Sequence, residues 1–277
     1  MSVFAVGPAL AIDGPLPVAP AYSLLSVPRV LQGNPENGRW INGVNVYPYP
    51  PDPPSTWEPC STGTFRTKDE GSDFDSPRFD SFVIYQPLTC SGISLGNWEE
   101  FKGRAEKALE ARQSYGVELA LSQGVALSTN PSLGDAGVTI LGGGAVTAAV
   151  GLSWLERAIG ETGQQGLIHA PPEVTSAWGF DKLETGEALY TVNGTPVASG
   201  GGYIGATASG GAAPASGQSY AFATGPVEVR LSEVNIEEDI NGTLDTSNND
   251  VTFRAEKVAL ATWDTALQVA VLIDWTP

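Results

Sequence analysis

Apolar positions along this 277-residue chain change period several times, and each period predicts a different element. Residues 97–124 read NWEEFKGRAEKALEARQSYGVELALSQG. There Phe101, Ala105, Ala108, Leu109, Tyr115 and Leu119 fall on one narrow stripe of a helix. Asn97 fits the N-cap with Glu100 three residues on, a capping-box pattern, and Gly124 fits the stop. A helix of about 26 residues is ~39 Å long. Glu100–Arg104 and Lys102–Glu106 stand four apart on its other faces, while Gly103 and Gly116 weaken it modestly. The length and the narrow stripe together predict a strut spanning the whole molecule.

The remaining patterns are shorter. SFVIYQPL (81–88) alternates as a strand, and AAVGLSWLERAIGETG (148–163) is a helix with Leu152, Leu155, Ala158 and Ile159 on one side. GLIHA (166–170) reads as a buried strand and PPEVTSAW as a short helix opened by prolines. ALYTVNGTPVAS predicts a hairpin about Asn193-Gly194. A loop of small residues, 199–217, leads into YAFATGPVEVRLSEV, and DVTFRAEKVALATWDTALQVAVLIDW closes the chain as buried strands or a helix and strand. No period of 20–50 residues marks a solenoid.

The first 80 residues follow neither period. Prolines at 8, 15, 17, 20 and 28 make residues 1–30 an extended arm. Residues 31–88 form an extended region whose segment RWINGVNVYPYPPDPPSTWEPC is too aromatic for a solvated linker and too rich in proline for a central strand. Trp40, Tyr47, Tyr49 and Trp57 therefore predict aromatic surface that needs a second surface to cover it.

Composition narrows the function. A formal net charge of −17 disfavours a nucleic-acid reader. No apolar run approaches the ~18 residues of a membrane span, and MSVFAVGPALAIDGPLPVAP lacks the basic start of a signal peptide, so folding in a cytoplasm is expected. Cys60 and Cys90 are expected to be buried free thiols, a bridge being the lesser alternative. With His169 they make a poor zinc set. His169, inside an apolar strand and without a serine elbow elsewhere, reads as a core or interface residue. Gly200, Gly202 and Gly205 match GxGxxG but no helix follows to receive a pyrophosphate, so a mobile loop is expected. DINGTLDTSNND (239–250) has the composition of a calcium loop but Leu244 at its sixth position, which favours a polar hairpin tip. No catalytic residue, cofactor or metal is assigned.

The order of parts resembles the major capsid protein of tailed bacteriophages, the Hong Kong ninety-seven fold shared with encapsulin shells. The stretch 97–124 looks like that family's spine helix. WLERAIGETGQQGLIHAPPEVTSAW looks like its helix, central strand and short helix, and LYTVNGTPVASGGGY is similar to the hairpin entering the axial domain. YAFATGPVEVRLSEV and NDVTFRAEKVALATW resemble the return strand and the long peripheral strands. The likeness covers about residues 81–277; residues 1–80 agree in character only.

The resemblance implies an α+β fold with an N-arm (1–30), an extended loop (31–88), the spine helix and first part of a peripheral domain (89–145), an axial domain (146–226) and closing peripheral strands (227–277). It implies a structural, non-enzymatic protein that assembles as hexamers and pentamers into an icosahedral head. That head would form in the bacterial host cytoplasm and enclose DNA without sequence-specific binding, with scaffold and portal proteins as partners and no membrane. Trp40, Tyr47, Tyr49, Trp57, Phe101 and Tyr115 are the expected assembly contacts. An encapsulin-like shell, a decoration or connector protein, and a hydrolase with paired carboxylates are the alternatives.

Overall fold

The computed structural model describes residues 15, 17–27, 31–32, 38–49, 76–91, 98–125, 130–179, 183–185, 188–237, 244–245 and 250–276. The spine of the fold is α1 (Trp98–Gln123), with Glu99 and Glu100 in its first turn, where the helix dipole favours acids. It stops at Gly124, whose φ of 77° is the left-handed geometry of a C′ glycine. Asn97, the expected cap, lies outside the described residues.

Two sheets flank this helix. In the six-stranded sheet the long strand Asp250–Trp263 is central. It pairs antiparallel with Phe82–Ser91 on one side and with Val227–Leu231 and Asn235–Glu237 on the other. Leu31–Gln32 adds in parallel to Val227–Leu231. Strand 82–91 alternates as its sequence does: Phe82 and Ile84 are buried while Val83 and Tyr85 face outward. Pro87 is accommodated there because the strand pairs on one side only among the described residues.

The eight-stranded sheet runs in the order 139–140, 268–274, 218–224, 167–170, 196–199, 189–191, 183–185, with 146–147 also on 268–274. The hairpin about Asn193-Gly194 forms as expected, antiparallel with Val197 opposite Leu189. Leu167–Ala170 is fully buried. Helix α2 (Ala148–Thr162) covers one face of this sheet with Leu152, Leu155 and Ile159, and α3 (Pro172–Trp178) is tied to its start by Trp178 Nε1 donating to Ala148 O at 3.0 Å.

One bent ribbon joins the sheets. Residues 218–224 pair with 268–274 in one sheet, and their continuation 227–231 pairs with 259–263 in the other. At the bend residues 225–226 lie against 264–267, where Gly225 N–H reaches Leu267 O and Asp264 N–H reaches Pro226 O. The span 227–277, expected to close a single unit, is therefore divided: 250–263 stays in the six-stranded sheet and 268–274 crosses to the other. Residues 139–140, expected with the spine helix, also join the eight-stranded sheet.

Part of the stretch read as arm packs against the body. Ser23, Leu24 and Val27 are buried in the subunit's own core, while Val18 is 87% exposed.

The expected stripe on α1 also needs correction. Ala105 and Leu109 are buried as read, but the inward positions then run through Ser114, Val117, Glu118, Leu121 and Ser122, while Tyr115 is 50% exposed. The C-terminal half of α1 is packed on more than one side. Gly116 lets Ile84 approach, for an added Cβ would meet Ile84 Cγ2 at 2.9 Å. Gly202 sits against the helix backbone itself, where a Cβ would meet Leu119 N at 2.6 Å and Tyr115 O at 2.7 Å. Gly103 has nothing within 4 Å of such a Cβ. Gly103→Ala should therefore stabilise the protein by about 0.5–1 kcal/mol. Gly202→Ala should destabilise it by about 3 kcal/mol, the upper end for overpacking. Urea unfolding of the two variants measures both.

Candidate functional site

No group of three or more His, Cys, Asp or Glu is placed to hold a metal among the described residues, and no described helix is long and apolar enough to cross a membrane. A hollow of about 350 Å³ between Ala145–Ala148, Ala177 and Asp274–Thr276 is lined mainly by small side chains. Cys60 and most of 239–250 lie outside the described residues, so the thiol and calcium-loop readings do too.

The structure builds instead a buried polar junction on α1. Glu118 is 1% exposed, and its carboxylate accepts hydrogen bonds from three segments. Leu24 N–H donates to Oε1 at 2.8 Å, Ser114 Oγ–H to the same oxygen at 3.0 Å, and Gly202 N–H to Oε2 at 3.1 Å. Ser114 Oγ accepts in turn from Leu25 N–H at 3.2 Å, and one turn on, Ser122 Oγ–H donates to Gly202 O at 2.7 Å. The inner segment of the arm, the spine helix and the glycine turn thus meet at one carboxyl group. Burial raises the pKa of Glu118; the bonds from Leu24, Gly202 and Ser114 pull the other way and do not cancel it.

A second layer lies behind. Tyr203, in the 3-10 turn Gly201–Tyr203, is fully covered, and its hydroxyl meets His169 Nδ1 at 3.0 Å. His169 Nε2 meets Thr224 Oγ1 at 3.0 Å. Thr224 Oγ1 donates to Gly225 O, so it accepts from His169, whose Nε2 carries the proton and whose Nδ1 accepts from Tyr203. Burial drives the His169 pKa down to about 3, which keeps the ring neutral. The core reading of this histidine is correct. The mobile-loop reading of 199–217 is not: Tyr203, Ala206 and Ala208 are buried, and Tyr220 Oη–H donates to Ala212 O.

The expected contact residues scatter. Trp40 is 3% exposed and covered by its own chain, so it is not surface awaiting a neighbour; its Nε1 has no hydrogen-bond partner. Tyr47 and Tyr49 are 78% and 70% exposed, with Tyr49 N–H held by Asp264 Oδ2 at 3.3 Å. Phe101 is half-buried, stacked on Phe253 with ring centroids 6.4 Å apart and Arg104 over its ring. Tyr115 lies over Gly201. Trp57 is outside the described residues. Glu118 was missed because it is one of 31 acids, although Ser114, Glu118 and Ser122 at four-residue spacing do mark a polar line on the helix.

No protein-family model matches the chain, and no curated protein is similar to it. Solved structures do match along almost the whole length. The capsid of an empty GTA particle is similar with a TM-score of 0.55 and 13% identity, covering 98% of this chain and 96% of that one. A structure of Mycobacterium phage Ogopogo gives 0.54 and 15%, covering 98% and 100%. The phage G structure of major capsid and decoration proteins gives 0.54 and 9%, covering 99% of each chain. The chain has the fold of phage capsid proteins, the Hong Kong ninety-seven fold, as its order of parts implied.

Glu118→Ala should cost about 3 kcal/mol, since it strands the buried N–H groups of Leu24 and Gly202. For His169 the folded pKa lies below the ordinary 6.5, so the unfolded chain takes up the proton first. Stability should fall as pH drops from 6.5 toward about 3. The His169 share of that fall is at most about 1.4 kcal/mol per pH unit. Urea midpoints across that range should show the share as the difference between wild type and His169→Gln.

Proposed function

We propose that this protein is the shell-forming subunit of a tailed-phage head, assembling as hexamers and pentamers into an icosahedral capsid that encloses double-stranded DNA. The near-full-length likeness to capsid structures carries this reading. In it the six-stranded sheet with α1 is the peripheral domain, and the eight-stranded sheet with α2 and α3 is the axial domain. The exposed run 209–216 lies near the capsomer axis. Scaffold and portal proteins are the expected partners, and assembly takes place in the host cytoplasm before the subunit resides in the virion.

Exposed apolar side chains support the proposal. Tyr47, Tyr49 and Val18 contribute large apolar side chains to the surface, and burying them on neighbouring subunits is what closure into a shell supplies. The net charge of −17 suits a wall that must not bind the polyanion it contains.

Negative-stain microscopy of the expressed protein should show closed shells; rings of one size or a stable monomer would overturn the reading. Because residues 22–27 belong to the subunit core, the informative truncation removes residues 1–21. It should leave capsomer-sized species and abolish closed shells by the same microscopy, whereas shells of normal size would show that the arm has no part in closure.

A further inference from the structure

Glu118 has no cation paired with it among the described residues, although it is almost fully enclosed. Arg112 on α1 and Lys257 on the central strand are engaged elsewhere, with Gln86 Oε1 and Gln113 Oε1. The arm segment 17–27 carries no charge, and Tyr22 is its one titratable side chain. From the glycine turn Tyr203 faces the site, its hydroxyl turned to His169, which is neutral. An unpaired carboxylate in such a place is opposed by desolvation, while a carboxylic acid is not.

The junction has room for that proton without losing a contact. If Oε1 carries it, Oε1 donates to Ser114 Oγ across the same 3.0 Å and still accepts from Leu24 N–H. Ser114 Oγ keeps a lone pair for Leu25 N–H, and Oε2 continues to accept from Gly202 N–H.

We propose that Glu118 is a proton-linked latch: docking of the arm segment 22–27 on α1 takes up one proton at Glu118, and release of the segment returns it to solvent. When Leu24 and Leu25 leave, water reaches the carboxyl group, the Oε1–H bond breaks, the proton passes to water, and the hydrated carboxylate remains. A group whose docked pKa lies above its free value binds its proton more tightly when docked. The grip is therefore strongest below the ordinary 4.5 and weakens as pH rises from there through the raised value.

Hydrogen–deuterium exchange of the peptide holding the Leu24 and Leu25 amides, in assembled full-length protein, tests this. After correction for intrinsic exchange chemistry, the opening equilibrium of wild type should rise by up to tenfold per pH unit above 4.5, and that of Glu118→Gln should stay flat. A flat or falling wild-type profile, or the same rise in Glu118→Gln, would overturn the proposal. Infrared spectroscopy of wild type is a second readout independent of any variant: a protonated carboxyl band should persist above pH 4.5 and vanish with the midpoint seen in exchange. Its absence there would overturn the latch.

Discussion

Taking one carboxyl group out of water obliges a chain to bring hydrogen-bond donors to it, and at Glu118 two distant segments and a neighbour on its own helix answer. Leu24 comes from 94 residues upstream and Gly202 from 84 downstream, while Ser114 is one turn away on the same helix. Each donor carries its own segment with it. The arm is thereby fixed where it enters the body, and the glycine turn is fixed where it leaves the strand 196–199. Glycine at 200 and 202 is a consequence of the same contact, because a Cβ at either position would fall inside the space of the Glu118 side chain. Apolar packing could not do this alone, since a hydrophobic contact has no direction and would not hold three chains in register.

Glu118 and His169, both buried and titratable, act in opposite senses. His169 disfavours acid, because folding must keep its ring neutral, while Glu118 favours acid, because folding prefers its neutral form. They are neighbours through Tyr203, whose ionisation is in turn suppressed by burial first and by Glu118 second. The polar line from helix to sheet is thus made of groups that all prefer to be uncharged, which is how a chain with formal net charge −17 keeps charge out of the seam between its sheets.

Much of the fold was legible because periodicity reports burial on one side. The first half of the spine helix, the helix 148–162 and the Asn193-Gly194 hairpin each follow one pattern, and the strand at 167–170 shows as a continuous apolar run because it is covered throughout. Legibility failed where a segment has two partners. Beyond Leu109, α1 meets the sheet on one side and the arm and glycine turn on another, so a single stripe no longer describes it and Tyr115 was placed inward. The loop 199–217 looked mobile because glycine and alanine offer little to bury. Its anchor is Tyr203, and the glycines serve close approach to a helix, which a sequence does not distinguish from slack. Trp40 was misplaced for a related reason: aromatic residues among prolines read as surface, yet this one folds back under its own sheet. Phe79 beside Trp263, with ring centroids 4.8 Å apart, shows how closely that segment's return is packed.

The bent ribbon sets what the fold can transmit. Because 218–231 pairs with 259–274 through both sheets, the sheets share two continuous strands, and a tilt of one must be absorbed at residues 225–226 and 264–267. That bend is held by backbone bonds and by Asp264, whose side chain also receives Tyr49 N–H at the root of the extended region. The junction at Glu118 lies on the other line between the sheets, along α1. Two of the seams that join the halves are therefore unlike, one made of backbone pairing and one of a carboxyl group and its donors. Strand pairing does not depend on pH over the range in which carboxyl groups titrate, whereas the Glu118 seam does. A subunit built this way can loosen its arm without parting its sheets, which is the property needed if neighbours are held through the arm while the body keeps its shape.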